Sequence, residues 1–118
     1  MTDKTPKLLV DALGAIAFAQ EFVQGIALDQ YLADKMRRSA VERQLEILGE
    51  AAGRLARLRA DLLQTVPDLK LAIDLRNRII HGYDAVDDEI VYFTVLEDLA
   101  SLQLALTQML RVYTDGKP

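Results

Sequence analysis

The 118-residue chain has no cysteine and no tryptophan, one histidine, three prolines and six glycines, and only 6% of it is aromatic. Without cysteine there is no disulfide scaffold, no iron–sulfur cluster and no thiolate zinc site. A lone histidine leaves no His-rich metal site, and any imidazole chemistry, a Ser-His-Asp arrangement included, must pass through His81. No stretch approaches the ~18 uncharged residues of a membrane span. The N-terminal segment MTDKTPKLLVDALGAIAFAQ is polar for seven residues and then broken by Asp11, unlike a signal peptide. A cytoplasmic protein with no membrane partner is expected. Basic charge is also in short supply: 14 Lys and Arg against 18 Asp and Glu give a formal charge of −4 and a pI of about 4.9. That balance argues against broad nonspecific adhesion to nucleic acid, although local basic clusters can still act.

What is plentiful is apolar sequence at helical spacing. Hydrophobic residues make up 51% of the chain, and a chain of this size buries roughly two-thirds of its unfolded surface, enough for one domain with its own core. Strict two-residue alternation is absent, so the chain reads as all-α. Thr5 and Pro6 form a capped start to a first helix over about 6–24, with Leu9, Ala12, Ile16, Ala19 and Val23 on one face up to Gly25. Residues 26–34 form a short connector whose Leu28, Tyr31 and Leu32 can tuck over the bundle end. The longest helix spans about 35–64 on Val41, Leu45, Leu48, Ala52, Leu55 and Leu62; a Ser39-x-x-Glu42 capping box would instead start it near residue 40. Pro67 precedes a helix over about 69–81 carrying Leu71, Leu75 and Ile79, which Gly82 stops. After the acidic run Asp84, Asp87, Asp88, Glu89 a last helix covers about 87–112 on Ile90, Phe93, Val95, Leu96, Leu99 and Leu102, and 115–118 are a frayed tail. Four long helices with short connections predict an antiparallel four-helix bundle with a short extra connector helix. Apolar residues outside the core arc, Ile47 and Ile80, predict a homodimer.

The chemistry concentrates in Asp74-Leu75-Arg76-Asn77-Arg78-Ile79-Ile80-His81-Gly82-Tyr83-Asp84, where the only histidine, two arginines, an amide and a tyrosine crowd a helix end. An imidazole can take and return a proton near neutral pH, and a guanidinium holds phosphoryl oxygens in a fork, so the set suits phosphate chemistry. Five helical steps turn a side chain by about 500°, which leaves Arg76 and His81 about 140° apart and about 7.5 Å apart along the axis. They converge only if the helix loosens at Gly82 or if a second subunit brings its own segment alongside. Plainer roles compete. His81 can serve as a helix C-terminal cation, Arg76 can pair with Asp74 or Glu50, and Asn77 can cap backbone or orient His81. Arg78 fits a solvated charge, and Tyr83 can simply pack over Gly82.

Arg76-x4-His81-x-Tyr83, with Asn77 directly after the arginine, resembles the Arg-x(4–6)-His motif of HEPN-domain ribonucleases. RNRIIHGYDAVDDEIVYFTVLEDL and the segment VERQLEILGEAAGRL at 41–55, with its Gly49-Glu50-Ala51 step, resemble the HepT toxin subgroup over about residues 7–112. The resemblance implies an all-α dimeric endoribonuclease that needs no metal or other cofactor. It implies catalytic Arg76 and His81 facing their counterparts across the dimer, with Asn77 supporting. It also implies a minimal nucleotidyltransferase antitoxin as partner, which transfers AMP from ATP to Tyr83. RNA is the implied substrate.

The long helix offers a second constellation, since Arg43, Glu50, Arg54, Arg57 and Asp61 share one face. Glu50–Arg54 and Arg57–Asp61 predict self-paired i,i+4 couples; the competing reading is a docking stripe for RNA or antitoxin, extended by Lys35, Arg37, Arg38 and Arg43. At the level of function, a non-catalytic helical partner of a nucleotidyltransferase competes with the enzyme, and the acidic pI favours it. A purely structural dimerisation bundle leaves the polar cluster at 76–83 without a purpose.

Overall fold

The computed structural model of the chain describes residues 3–81 and 86–115. Among them there is helix and no strand: α1 (Thr5–Val23), α2 (Leu28–Ala33), α3 (Lys35–Leu58), α4 (Leu62–Thr65), α5 (Asp68–His81) and α6 (Asp88–Phe93). A π-helical segment (Thr94–Asp98) then runs directly into α7 (Leu99–Asp115). The expected all-α bundle of four long helices is therefore what forms. α1 packs on α3 and α7, and α3 also packs on α5.

Three contacts fix the helix directions. Tyr92 at the start of the last helical run donates its hydroxyl to the Ile26 carbonyl just past α1. Tyr113 near its end reaches the Arg59 guanidinium just past α3. Val86 and Asp88, which follow α5, sit against Lys35–Glu42 at the start of α3. Neighbouring long helices therefore run antiparallel. Leu9, Ile16, Leu45, Leu48, Leu55, Leu69, Leu102 and Leu106 are fully enclosed between them.

Helix ends depart from expectation in instructive ways. α1 does begin at Thr5, but the Thr5 hydroxyl is not the cap: Thr5 is buried, and the Asp3 carboxylate accepts from its backbone N–H at 2.9 Å. α1 ends where Gly25 takes a φ of 73°, a left-handed turn that glycine adopts without strain. α2 is a helix of six residues in which Tyr31 is fully buried, Leu28 is half-buried and Leu32 stays exposed. The capping box at Ser39 and Glu42 is not used. Asp34 caps α3 instead, accepting from the Arg37 N–H at 3.0 Å, so the helix starts at Lys35, as its periodicity predicts.

The same helix stops at Leu58, not near 64. A turn at 59–61 swings the chain so that Leu62 and Val66 close the end of the core, and α4 is the single helical turn this creates. On the last helix the apolar residues divide between two faces. Val91, Val95, Leu99, Leu102 and Leu106 are buried, whereas Ile90, Phe93 and Leu96 are exposed. The step from Val91 to Leu99 is eight residues, wider than two turns of about 3.6; the π-helical segment takes up the excess and keeps both ends facing the core. Among the described residues, Asp88–Thr114 is the helical run that is long and apolar enough to cross a bilayer by length and composition. Glu97, Asp98 and Arg111 lie within it, so it holds no uncharged stretch of that length.

Candidate active site

α5 carries the motif. Pro67 precedes it, Asp68 lies in its first turn, and Arg78 and His81 lie in its last, an order of charge that matches the helix dipole. Leu69 and Ala72 are buried against α3, and Arg76, one turn on from Ala72, leaves the helix from the same face. Arg76 is half-buried; Asn77, Arg78 and His81 are exposed. The helix stays intact through His81, so the motif arginine faces α3 while the motif histidine faces solvent about 140° around the axis. A single chain does not bring them together. Gly82, Tyr83 and Asp84 lie outside the described residues, so loosening at Gly82, the packing of Tyr83 and its modification have no structural counterpart here.

The environment of Arg76 is unusual. The expected carboxylate partners are engaged elsewhere: Asp74 takes Lys70 at 2.9 Å and Glu50 takes Arg54 at 3.2 Å. No ion pair reaches Arg76 among the described residues, and its Nε is buried without a hydrogen-bond partner. Its stem lies directly on the α3 backbone at Gly49. A Cβ at that position would fall 2.2 Å from Arg76 Cβ, 2.9 Å from Arg76 Cδ and 2.9 Å from the Ala72 carbonyl oxygen. A guanidinium held by packing and not spent on an acid is available to an anion.

The α3 stripe is mostly self-paired. Glu50–Arg54 forms as expected. Arg57–Asp61 does not, because α3 ends at Leu58 and Asp61 turns to Arg59 at 3.3 Å. The arginines of the basic edge are neutralised in the same way. Arg37 meets Asp34 at 3.3 Å and donates to the Phe22 carbonyl at 2.6 Å, Arg38 meets Asp88 at 3.5 Å, and Arg43 meets Glu46 at 3.2 Å.

Beside this edge is a cleft of about 220 Å³ lined by Lys35, Arg38, Ser39, Glu42, Val86 and Asp88. Burial and the neighbouring Asp88 raise the Glu42 carboxyl above the usual glutamate value. The Tyr31 ring packs tilted against Tyr92 with centroids 5.3 Å apart, and burial pushes its phenol up. Residue spacing alone did not reveal this charged pocket, since it joins α3 to Val86 and the start of α6. Among the described residues no three His, Asp or Glu side chains group so as to hold a metal ion.

A family model described as "Ribonuclease HepT-like" matches residues 12–109. The chain belongs to the HepT-like ribonuclease family. A protein of Thermococcus cleftensis named "Probable ribonuclease HepT" is 36% identical over 95 residues, covering 80% of this chain and 86% of the relative. One from Caldanaerobacter subterraneus subsp. tengcongensis named "Putative RNase TTE0752" is 30% identical over 109 residues, covering 92% and 96%. No solved structure matches the chain. The HepT-like match spans both α3, with Gly49, and α5, with Arg76 and His81, so the crossing of these helices lies inside the shared region.

Proposed function

We propose that this HepT-like protein is the toxin of a toxin–antitoxin pair: a cytoplasmic, homodimeric endoribonuclease that works without a metal ion. Arg76 and His81 are its catalytic residues and Asn77 supports them. The observation that carries this reading is the Arg76 guanidinium, which is anchored by its stem, bears no carboxylate among the described residues, and sits in the family's shared region. His81 is exposed on another face of the same helix, and in this reading the Arg76 of a second copy completes its site.

In the dimer one imidazole removes the proton of a ribose 2′-hydroxyl, whose oxygen attacks the adjacent phosphorus. The bond to the 5′-oxygen breaks, and that oxygen receives a proton from the second His81 or from water. Arg76 stabilises the charge gathering on the phosphoryl oxygens. A nucleotidyltransferase antitoxin silences the enzyme by joining the Tyr83 hydroxyl oxygen to the α-phosphorus of ATP, with pyrophosphate leaving. The added phosphodiester brings about one negative charge that competes for Arg76.

Purified protein is expected to cleave RNA in EDTA, and His81→Ala to abolish both cleavage and growth arrest. Full activity in that variant overturns the reading, and harmless expression of the wild type with tight nucleotidyltransferase binding favours a non-catalytic partner instead. Co-expression with the cognate nucleotidyltransferase should add AMP mass to the tryptic peptide holding Tyr83, and Tyr83→Phe should remove that adduct while keeping cleavage.

A further inference from the structure

We propose that Gly49 is a positioning residue for Arg76: the absence of a side chain at this one point of α3 sets where the guanidinium sits. Of the three glycines inside the described helices, Gly14 would meet nothing on gaining a Cβ, and Gly53 would meet only the end of the Arg57 side chain at 3.8 Å. Glycine weakens a helix interior, so neither is there for room. Gly49 differs in kind. Its added Cβ would sit 2.2 Å from Arg76 Cβ and 2.9 Å from the Ala72 carbonyl oxygen. Neither is the tip of a flexible side chain, so no rotamer change relieves the overlap. To reach ordinary contact, α5 would have to lift off α3 by about an ångström.

The consequence falls on Arg76 in particular. Its Cβ and Cδ both lie over Gly49, so its stem is laid along the α3 backbone and its Nε is enclosed with no hydrogen-bond partner. Among the described residues nothing pairs with that atom, so it is packing that holds the side chain there. Lifting α5 would free the stem, open the Nε to water and move the guanidinium away from where a phosphate would meet it. A displacement of about an ångström at a catalytic group is enough to reduce turnover by about 10²-fold.

The activity half of this inference rests on the ribonuclease reading; the positional half does not. In the full-length ¹⁵N-labelled protein the Arg76 Nε–H resonance is assigned by its loss in Arg76→Lys. It should exchange with water at least about tenfold more slowly than that of exposed Arg78. Gly49→Ala should shift this resonance and bring its exchange to the Arg78 rate, while Gly53→Ala leaves both unchanged.

For RNA cleavage, Gly49→Ala should lower kcat by about 10²-fold with a much smaller change in KM, and should cause no further loss in an Arg76→Met background. An unchanged Arg76 resonance in Gly49→Ala, or an equal effect from Gly53→Ala, overturns the proposal, and a chain that cleaves no RNA leaves the exchange result to decide it. If Gly49→Ala alone does not fold, Gly49→Ala/Arg76→Gly removes the atom at 2.2 Å, leaves the Ala72 carbonyl at 2.9 Å, and should recover part of the helical circular dichroism. Failure to recover would count against the proposal equally.

Discussion

The two ends of the motif live in different surroundings although five residues of one helix separate them. Arg76 leaves α5 on the face that packs against α3, its stem on the bare backbone of Gly49 and its Nε enclosed. His81 leaves the last turn into solvent, beyond the buried stretch that Leu69 and Ala72 begin. The fold of one chain thus dictates the position of the arginine and leaves the histidine apart from it. A phosphate-binding charge has to be placed accurately, whereas a proton carrier must reach its substrate and solvent; the contrast suits those two tasks.

The sharpest way to break this contrast is to remove function from both residues and ask which one the fold notices. Arg76→Met keeps an unbranched stem over Gly49 and deletes the enclosed, unpartnered Nε. It should therefore match the wild type in thermal stability or exceed it by up to about 1–3 kcal/mol. Its RNA cleavage should fall by at least about 10²-fold. His81→Ala should lose cleavage as fully while stability stays within about 0.5 kcal/mol, because the side chain is exposed. Parallel thermal melts and cleavage assays read both quantities. A clear loss of stability in Arg76→Met would show that the charge itself holds α5 to α3, and the contrast would fail.

How much of this was legible beforehand follows the range of the interactions. The helices on Leu9–Ile16–Val23, Val41–Leu45–Leu48 and Leu71–Leu75–Ile79 announce themselves through local periodicity, and their faces pack as expected except for exposed Leu71. The choice of Asp34 over Ser39 as the α3 cap was not visible, because both are sound caps and the winner depends on α2 ending where it does. The stop at Leu58 needed knowledge that Leu62 and Val66 are wanted in the core.

At the site, the motif residues could be named from spacing. That Gly49 lies beneath Arg76 could not, since α3 and α5 meet only in three dimensions. The basic edge misled for the same reason. Arg38 finds Asp88 from a distant part of the chain, and no local pattern predicts that pairing.

The smallest effect concerns the charged pocket between α3 and α6, where the interior is polar instead of bare. Glu42 faces Asp88 and Arg38, with Glu46 one turn along α3 and the Tyr31 phenol enclosed nearby. Burial comes first among the causes that raise its carboxyl, with Asp88 next, and Arg38 opposes them. A carboxyl raised in the folded state penalises folding once it is charged, so the penalty is present at pH 7. It fades as pH falls through the raised folded value and is gone below the ordinary glutamate value, where both states are protonated.

Glu42→Gln removes the charge and keeps the shape, so at pH 7 it should raise Tm. Solvent screening of a partly exposed group limits the gain to no more than about 2 °C. The advantage over wild type should shrink steadily on acidification and vanish by about pH 4. Melts of the two proteins side by side from neutral to acid pH would show it. A variant less stable than wild type at pH 7 would mean that the attraction of Arg38 outweighs burial and Asp88. The pocket would then be held by its ion pairs, much as the rest of the α3 edge is, and would no longer differ in kind from the solvated pairs beside it.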